Sequence, residues 1–442
     1  MDSNSVLLSY GENIQIPENK SKINLKINLI HPKNFHHSIN FQDIYQKKSE
    51  KLIDKGDELS LMMKQKLGLN ETTNELTMIT QVIKFGRICF DQSSQIKSQT
   101  PFLEPFHSTK SSRISLNISE LQNYSLFPGQ TVCVQGTQNE TEIIAKEIIT
   151  GIFPEKNNQM NPKEINNCSL KIFSVHGPYS FSNNLEFSSL KKLENLIKED
   201  QPNVVILMGP FIDSNNKTID IQSQNFHLIF QQNFGSFIAN IDAHCRSKGI
   251  QFPYFIFVPS LDDLVSQNWF FPQPPLKFID LFEQNSMMNH LDSFIYFFPN
   301  PCVLNINGIT IAISPEDILF NLKRYEVVKK NQNEDSMGRL VHYLLNQQSF
   351  FPLFPIPDNL PIDISNYSLF SLPILPDIFL FGSKFIYFIK EIGNVLAINH
   401  GHLTLGESFG NFAKIQISPN FNLIKKEDEP IFKRIKVEIY KI

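Results

Sequence analysis

Histidines and carboxylates recur in this chain just beyond short apolar runs. His176 closes Leu170-Lys171-Ile172-Phe173-Ser174-Val175, and Asp213 follows Val204-Val205-Ile206-Leu207-Met208-Gly209-Pro210. Asp262 and Asp263 follow Tyr254-Phe255-Ile256-Phe257-Val258, and His400 and His402 follow Val395-Leu396-Ala397-Ile398. Carboxylates and imidazoles delivered from several strand ends could hold two divalent ions ~3.5–4 Å apart, generate hydroxide and clamp phosphoryl oxygens. Such a centre needs a carboxylate to bridge the ions, commonly the first Asp of Gly-Asp-x-x-Asp. Here Gly209 and Asp213 keep that spacing, but Pro210 occupies the bridging position. Proline has no lone pair to give a metal, and without the bridge nothing offsets the repulsion between two cations.

Three further positions have the wrong chemistry for that centre. Ser174 stands where an Asp would be needed, Leu261 where an Asn would be, and Thr404 where a final His would be, while Asp262 takes a His position. No catalytic or metal-binding residue and no cofactor is therefore expected. A residual mononuclear site built from His176, His400 and His402 with Asp213, Asp262 or Asp263 is the sharper alternative, and it requires three convergent protein ligands. The plainer reading is preferred: Asp262 and Asp263 cap a turn or a helix, and the histidines are ordinary loop residues.

The elements that position these residues alternate along the second half of the chain. The unbroken run at 204–208 predicts a parallel strand covered on both faces. Strands are expected at 170–175, 254–258, near Phe294, Leu304 and Ile311, and at 377–381, 395–398, 412–417 and 434–440. Helices are expected at 188–198, 222–248 and 337–346, with another opening at Ser314-Pro315-Glu316-Asp317, where Ser314 has the pattern of an N-cap. This is an α/β (α+β) sandwich with helices outside. Before it, 78–152 reads as short strands separated by turns, including Phe127-Pro128-Gly129-Gln130, and fits a small OB-type barrel. A helix is expected over 41–68, interrupted at Gly56, and a half-buried strand at 23–29. The expected organisation is an N-terminal strand/helix segment packing on the main body (1–76), a barrel (77–152), a linker (153–168) and the sandwich (169–442).

Composition sets the outer limits. A chain of 442 residues with 41% hydrophobic content can bury a large core over two or three domains. The net charge of −4 argues against a general nucleic-acid binder. The five cysteines form no Cys-x-x-Cys pair, which excludes a zinc ribbon and favours a reducing compartment. No apolar run approaches the ~18 residues of a membrane span, and no leader is visible, so a soluble intracellular protein is expected. The barrel region has few aromatics and balanced charge, so weak direct contact with nucleic acid is the most it should make.

Taken in order, the altered motifs resemble those of calcineurin-like phosphoesterases that have lost their ligands. Behind a small barrel they resemble one family, the B subunits of replicative DNA polymerases, and among them those of DNA polymerase alpha–primase. The residues that carry the resemblance are Ser119-Glu120-Leu121-Gln122-Asn123-Tyr124-Ser125-Leu126-Phe127-Pro128-Gly129-Gln130, His176-Gly177-Pro178-Tyr179 and Leu207-Met208-Gly209-Pro210-Phe211-Ile212-Asp213. They continue through Phe257-Val258-Pro259-Ser260-Leu261, Phe271-Pro272-Gln273-Pro274-Pro275, Gly338-Arg339-Leu340, Gln347-Gln348-Ser349-Phe350-Phe351-Pro352-Leu353-Phe354-Pro355, Gly401-His402-Leu403-Thr404 and Gly410-Asn411-Phe412-Ala413.

The resemblance implies an OB-fold joined to an inactive calcineurin-like phosphoesterase domain, serving as a nuclear, non-catalytic scaffold. Its implied partners are the C-terminal region of the polymerase alpha catalytic subunit and, through it, primase, with a CST-type telomere complex and C-strand fill-in left open. A metal-dependent phosphoesterase or nuclease, or the corresponding subunit of another replicative polymerase, is the alternative. Family members commonly carry an N-terminal helical domain, and little precedes the shared region here. His176 and His402 also depart from the usual residues. Trp269, Phe270 and Phe271 are the candidate partner-binding residues, because aromatics dominate interface hot spots, although packing beneath a loop would explain them equally.

Overall fold

The computed structural model describes residues 5–17, 23–33, 44–69, 75–78, 81–91, 100–106, 113–139, 141–156, 169–220, 224–266, 269–282, 287–329, 335–357, 360–419 and 431–442. Two compact units emerge. One comprises Met1–Phe35, Asn157–Asp317 and Pro376–Ile442, and the other His36–Lys156 and Ile318–Leu375.

The first unit is the expected sandwich. Its described strands form one seven-stranded sheet in the order Val6–Tyr10, Ile435–Lys441, Asn411–Ile417, Leu170–His176, Val204–Met208, Tyr254–Val258 and Ile295–Phe297. The last four run parallel to one another. A six-stranded sheet has the order Phe388–Ile392, Val395–Asn399, Ile378–Phe381, Ile309–Ser314, Cys302–Ile306 and Ile27–His31. Period-two alternation divides the parallel strands Leu170–His176, Val204–Met208 and Tyr254–Val258 between two cores. Val204, Ile206 and Met208 face Ile311, Ile313, Leu380 and Ile398 between the sheets. Val205 and Leu207 face the other way, against Leu190, Leu193 and Ile197 of helix Ser188–Asp200 and Ile238 and Ile241 of helix Ser236–Lys248. A strand buried on both faces has to be apolar throughout, which explains why this run is unbroken. The parallel strands all end on the same edge, so their following loops gather there.

The second unit contains the barrel. Gln81–Cys89, Phe102–Glu104, Ile114–Asn117, Glu142–Ile149 and Thr131–Gln138 are neighbours in that order, and pairing of Gln81–Cys89 with Thr131–Gln138 closes the ring. Glu75–Met78 extends the sheet beside Gln81–Cys89. Ile88, Leu103, Leu116, Val132, Val134 and Ile143 fill the interior. Gly136 lies at a register shift, and a Cβ there would stand 2.0 Å from the Ile144 carbonyl oxygen, so only glycine fits.

Several expectations give way. Segment 318–375, expected within the sandwich, groups with the barrel. Val327–Lys329 pairs with Tyr124–Leu126, and Gln347 holds both Thr131 N–H (2.8 Å) and the Thr131 carbonyl (3.0 Å). Phe354 N–H donates to the Pro128 carbonyl beside Gly129 (3.1 Å), whose φ of 92° is the positive value expected of that turn. The expected 1–76 segment is divided too, because residues 1–35 join the sandwich and the helix Ile44–Lys66 joins the barrel unit. Gly56 does not interrupt that helix. A Cβ there would lie 2.2 Å from Phe106 Cε1, so glycine serves the close approach of an aromatic ring. Ser314 caps no helix: it ends strand Ile309–Ser314, and the helix begins at Ile318. Of the expected linker, residues 157–168 lie outside the described residues.

Candidate functional site

The loops after Leu170–His176, Val204–Met208, Tyr254–Val258 and Val395–Asn399 bring the altered motif positions to neighbouring strand ends. The strand-end segments pack on one another directly. A Cβ on Gly177 would stand 2.1 Å from the Pro210 carbonyl oxygen, and one on Gly209 would stand 2.8 Å from Ser260 N and 2.9 Å from Asp263 Oδ2. Backbone therefore fills the space around the position where a bridging carboxylate would start.

The histidines are tied into this packing. His400 Nδ1 meets the Gly401 carbonyl at 2.9 Å, which requires a proton on Nδ1 and leaves Nε2 to accept from the Ser174 hydroxyl, also at 2.9 Å. Both residues are fully buried, so the pair cannot meet a substrate. His402 Nδ1 donates to the Gly177 carbonyl at 2.6 Å. His176 stacks on His402 with centroids 4.5 Å apart. Gly382 also packs against His176, since a Cβ there would come within 2.3 Å of His176 Cε1. Burial holds all three imidazoles below the ordinary histidine range, with the neighbouring rings adding to the effect at His176 and His400; His400 falls to about 3. They are neutral near pH 7.

The Asp263 and Asp213 carboxylates accept from backbone amides. Asp263 Oδ2 accepts from Phe211 N–H (2.9 Å) and Oδ1 from Ile212 and Val265 N–H (3.2 Å each). Burial nevertheless pushes its carboxyl up to about 7. Asp213 Oδ1 accepts from Asn215 N–H (2.9 Å), and burial raises this group as well. Asp262 is exposed, and its carbonyl accepts from Ser214 N–H. The Leu261 side chain donates nothing, but its N–H reaches Glu316 Oε1 at 2.7 Å. The buried Thr404 hydroxyl lies 2.9 Å from the Pro178 carbonyl and 3.1 Å from that of Ser180. Among the described residues, no group of three or more His, Cys, Asp and Glu is placed to hold a metal ion.

Two acids here were missed in the sequence. Glu316 also accepts from Asn300 Nδ2 (3.2 Å), and burial pushes it up to about 7. Asp317 accepts from the Ser383 hydroxyl (2.6 Å) and Lys384 N–H (2.8 Å). The Ser-Pro-Glu-Asp pattern imitates a helix start, which concealed their role as loop ties. Of the aromatic candidates, Trp269 and Phe270 are exposed (65% and 43%), whereas Phe271 is 2% exposed and belongs to the packed interior.

A family profile for the B subunits of DNA polymerases alpha and epsilon matches residues 172–390. A second profile, for the OB domain of the DNA polymerase alpha B subunit, matches residues 49–151. The chain belongs to the family of DNA polymerase alpha B subunits. The mouse DNA polymerase alpha B subunit is similar to it at 30% identity over 83% of this chain and 60% of the relative, and the rat protein at 30% over 76% and 54%. The Schizosaccharomyces pombe relative of the same name is 29% identical over 88% of this chain and 69% of its own length. The chain thus spans roughly 54–60% of the two rodent proteins it matches. An archaeal phosphodiesterase of known structure aligns with 58% of the chain and 96% of its own, at 12% identity and a TM-score of 0.25, a likeness too slight to build on.

Proposed function

We propose that this member of the B-subunit family is a non-catalytic scaffold that holds the C-terminal region of the polymerase alpha catalytic subunit, and through it primase, for the initiation of DNA replication in the nucleus. The observation that carries the reading is the state of the strand-end site. Several positions where a two-metal hydrolase needs a ligand are filled by a side chain without one or by a group already committed to the protein. Pro210 replaces the bridge, Ser174 is spent on His400, and Asp263 is spent on three backbone amides. A fold that keeps its large core and loses its chemistry is retained for its surface. Trp269 and Phe270 are proposed contact residues, since exposed aromatics supply interface anchors. Family membership supports the choice of partner. Copurification of the tagged full chain from native cells, with identification of the bound proteins, tests the reading. Recovery with the polymerase alpha catalytic subunit and primase is expected, and recovery without them would contradict it.

A further inference from the structure

Beside the ladder of Tyr124–Leu126 and Val327–Lys329, the barrel unit has an open cavity of about 240 Å³. Leu121, Tyr124 and Ile148 give it apolar walls, and Asn123, Thr150 and Lys329 give it polar ones. No carboxylate lines it among the described residues. The Lys329 ammonium makes one hydrogen bond, to the Leu121 carbonyl at 2.8 Å, and has no acidic partner among the described residues. Two of its three N–H groups are therefore left over. Thr150 Oγ1 accepts from Asn346 Nδ2 at 3.2 Å, so its own proton remains to be donated. The cavity thus offers one positive charge and a hydroxyl donor at the edge of an apolar wall. A cavity of about 150 Å³ already admits a benzene ring, so a ring-sized group fits.

We propose that this cavity binds a carboxylate carried on a short apolar stem, with its oxygens on Lys329 Nζ and the Thr150 hydroxyl and its stem against Tyr124, Leu121 and Ile148. A single ammonium matches a singly charged head, and a phosphate dianion would leave charge unmatched. The carboxylate has two sources, a free aromatic acid or a Glu side chain beside an aromatic residue of a peptide.

Saturation-transfer NMR on the full chain tests this with benzoate, benzamide, Ac-Phe-Glu-Phe-NH2 and Ac-Phe-Gln-Phe-NH2. Each acid should bind about tenfold tighter than its amide, the worth of one charge-assisted hydrogen bond. Lys329→Met should erase that preference, and Thr150→Val should reduce it. Tighter binding of the Glu peptide than of benzoate assigns the site to a protein partner, and the reverse assigns it to a free acid. In the unmodified chain, benzoate should slow acetylation of Lys329 while leaving Lys217, whose side chain is 71% exposed, unaffected. Equal binding of acid and amide, an unchanged preference in Lys329→Met, or no protection of Lys329 would overturn the proposal.

Discussion

Replacing Asp263 by Asn should change how stability depends on pH. Asp263 is 5% exposed and accepts three backbone N–H bonds, yet no cation meets it among the described residues. Burial therefore dominates, and the carboxyl rises from 3.8 to about 7. A raised pKa means that between those values the folded chain holds a proton the unfolded chain has released. The associated stability is complete below about pH 4 and is lost as pH rises through 7. The whole swing is ~4 kcal/mol, of which ~3 kcal/mol falls between pH 5 and pH 8. Asn keeps Oδ1 for Ile212 and Val265, gives up the bond to Phe211 and cannot titrate. The variant should be less stable than the parent at pH 5, and the gap should close by ~3 kcal/mol at pH 8. Urea unfolding at several pH values, at low protein concentration, measures this. Parallel pH profiles would show that Asp263 is ionised throughout and that burial does not control it.

Arg339→Met should cost ~1.5–3 kcal/mol in urea unfolding, because Glu326, whose side chain is 3% exposed, loses the two bonds from Arg339 at 3.0 and 3.1 Å and keeps Lys323 Nζ at 2.6 Å and the Tyr343 hydroxyl at 3.1 Å. Gly382→Ala should lower stability by ~1–3 kcal/mol, because its Cβ would lie 2.3 Å from both His176 Cε1 and the Pro315 carbonyl; an unchanged melting temperature would refute the packing argument. Neither the parent nor Pro210→Asp should hydrolyse phosphomonoesters, phosphodiesters or DNA ends with added manganese, since Ser174, Leu261 and Thr404 remain. Manganese-dependent turnover abolished by His176→Ala or His402→Ala would contradict this. Single-stranded oligonucleotides should bind no better than weakly at physiological salt, with a shallow salt slope, and nanomolar affinity would defeat the charge argument.

The sandwich was legible because strands buried on both faces must be apolar without interruption, and 204–208 and 254–258 are short, rich in β-branched and aromatic residues and followed by Gly209-Pro210 and Pro259. The barrel was legible through its short strands and the Pro128-Gly129 turn. What failed depends on contacts between residues far apart in sequence. The reason for a glycine inside helix Ile44–Lys66 is the Phe106 ring packed against Gly56, and the place of 318–375 beside the barrel rests on Gln347 and Phe354. Local pattern also misled where two physical uses share one sequence, as at Ser314-Pro315-Glu316-Asp317. Within the site, the missing ligands could be read from residue type alone. The Ser174–His400 pair and the Glu316 tie to Leu261 could not, because they are separated by 226 and 55 residues. Phe271 shows the same limit from the other side, since nothing in Trp269-Phe270-Phe271 says which ring turns inward.

Coexpression of the full chain with the C-terminal region of a polymerase alpha catalytic subunit tests the scaffold directly. Stable assemblies of this kind bury more than ~1,600 Å² around an apolar centre, and salt does not screen apolar burial. Gel filtration with light scattering at high salt should therefore give a one-to-one complex, and Trp269→Ala should weaken it. Separate elution at micromolar concentration, with both proteins shown to be folded, would contradict the account.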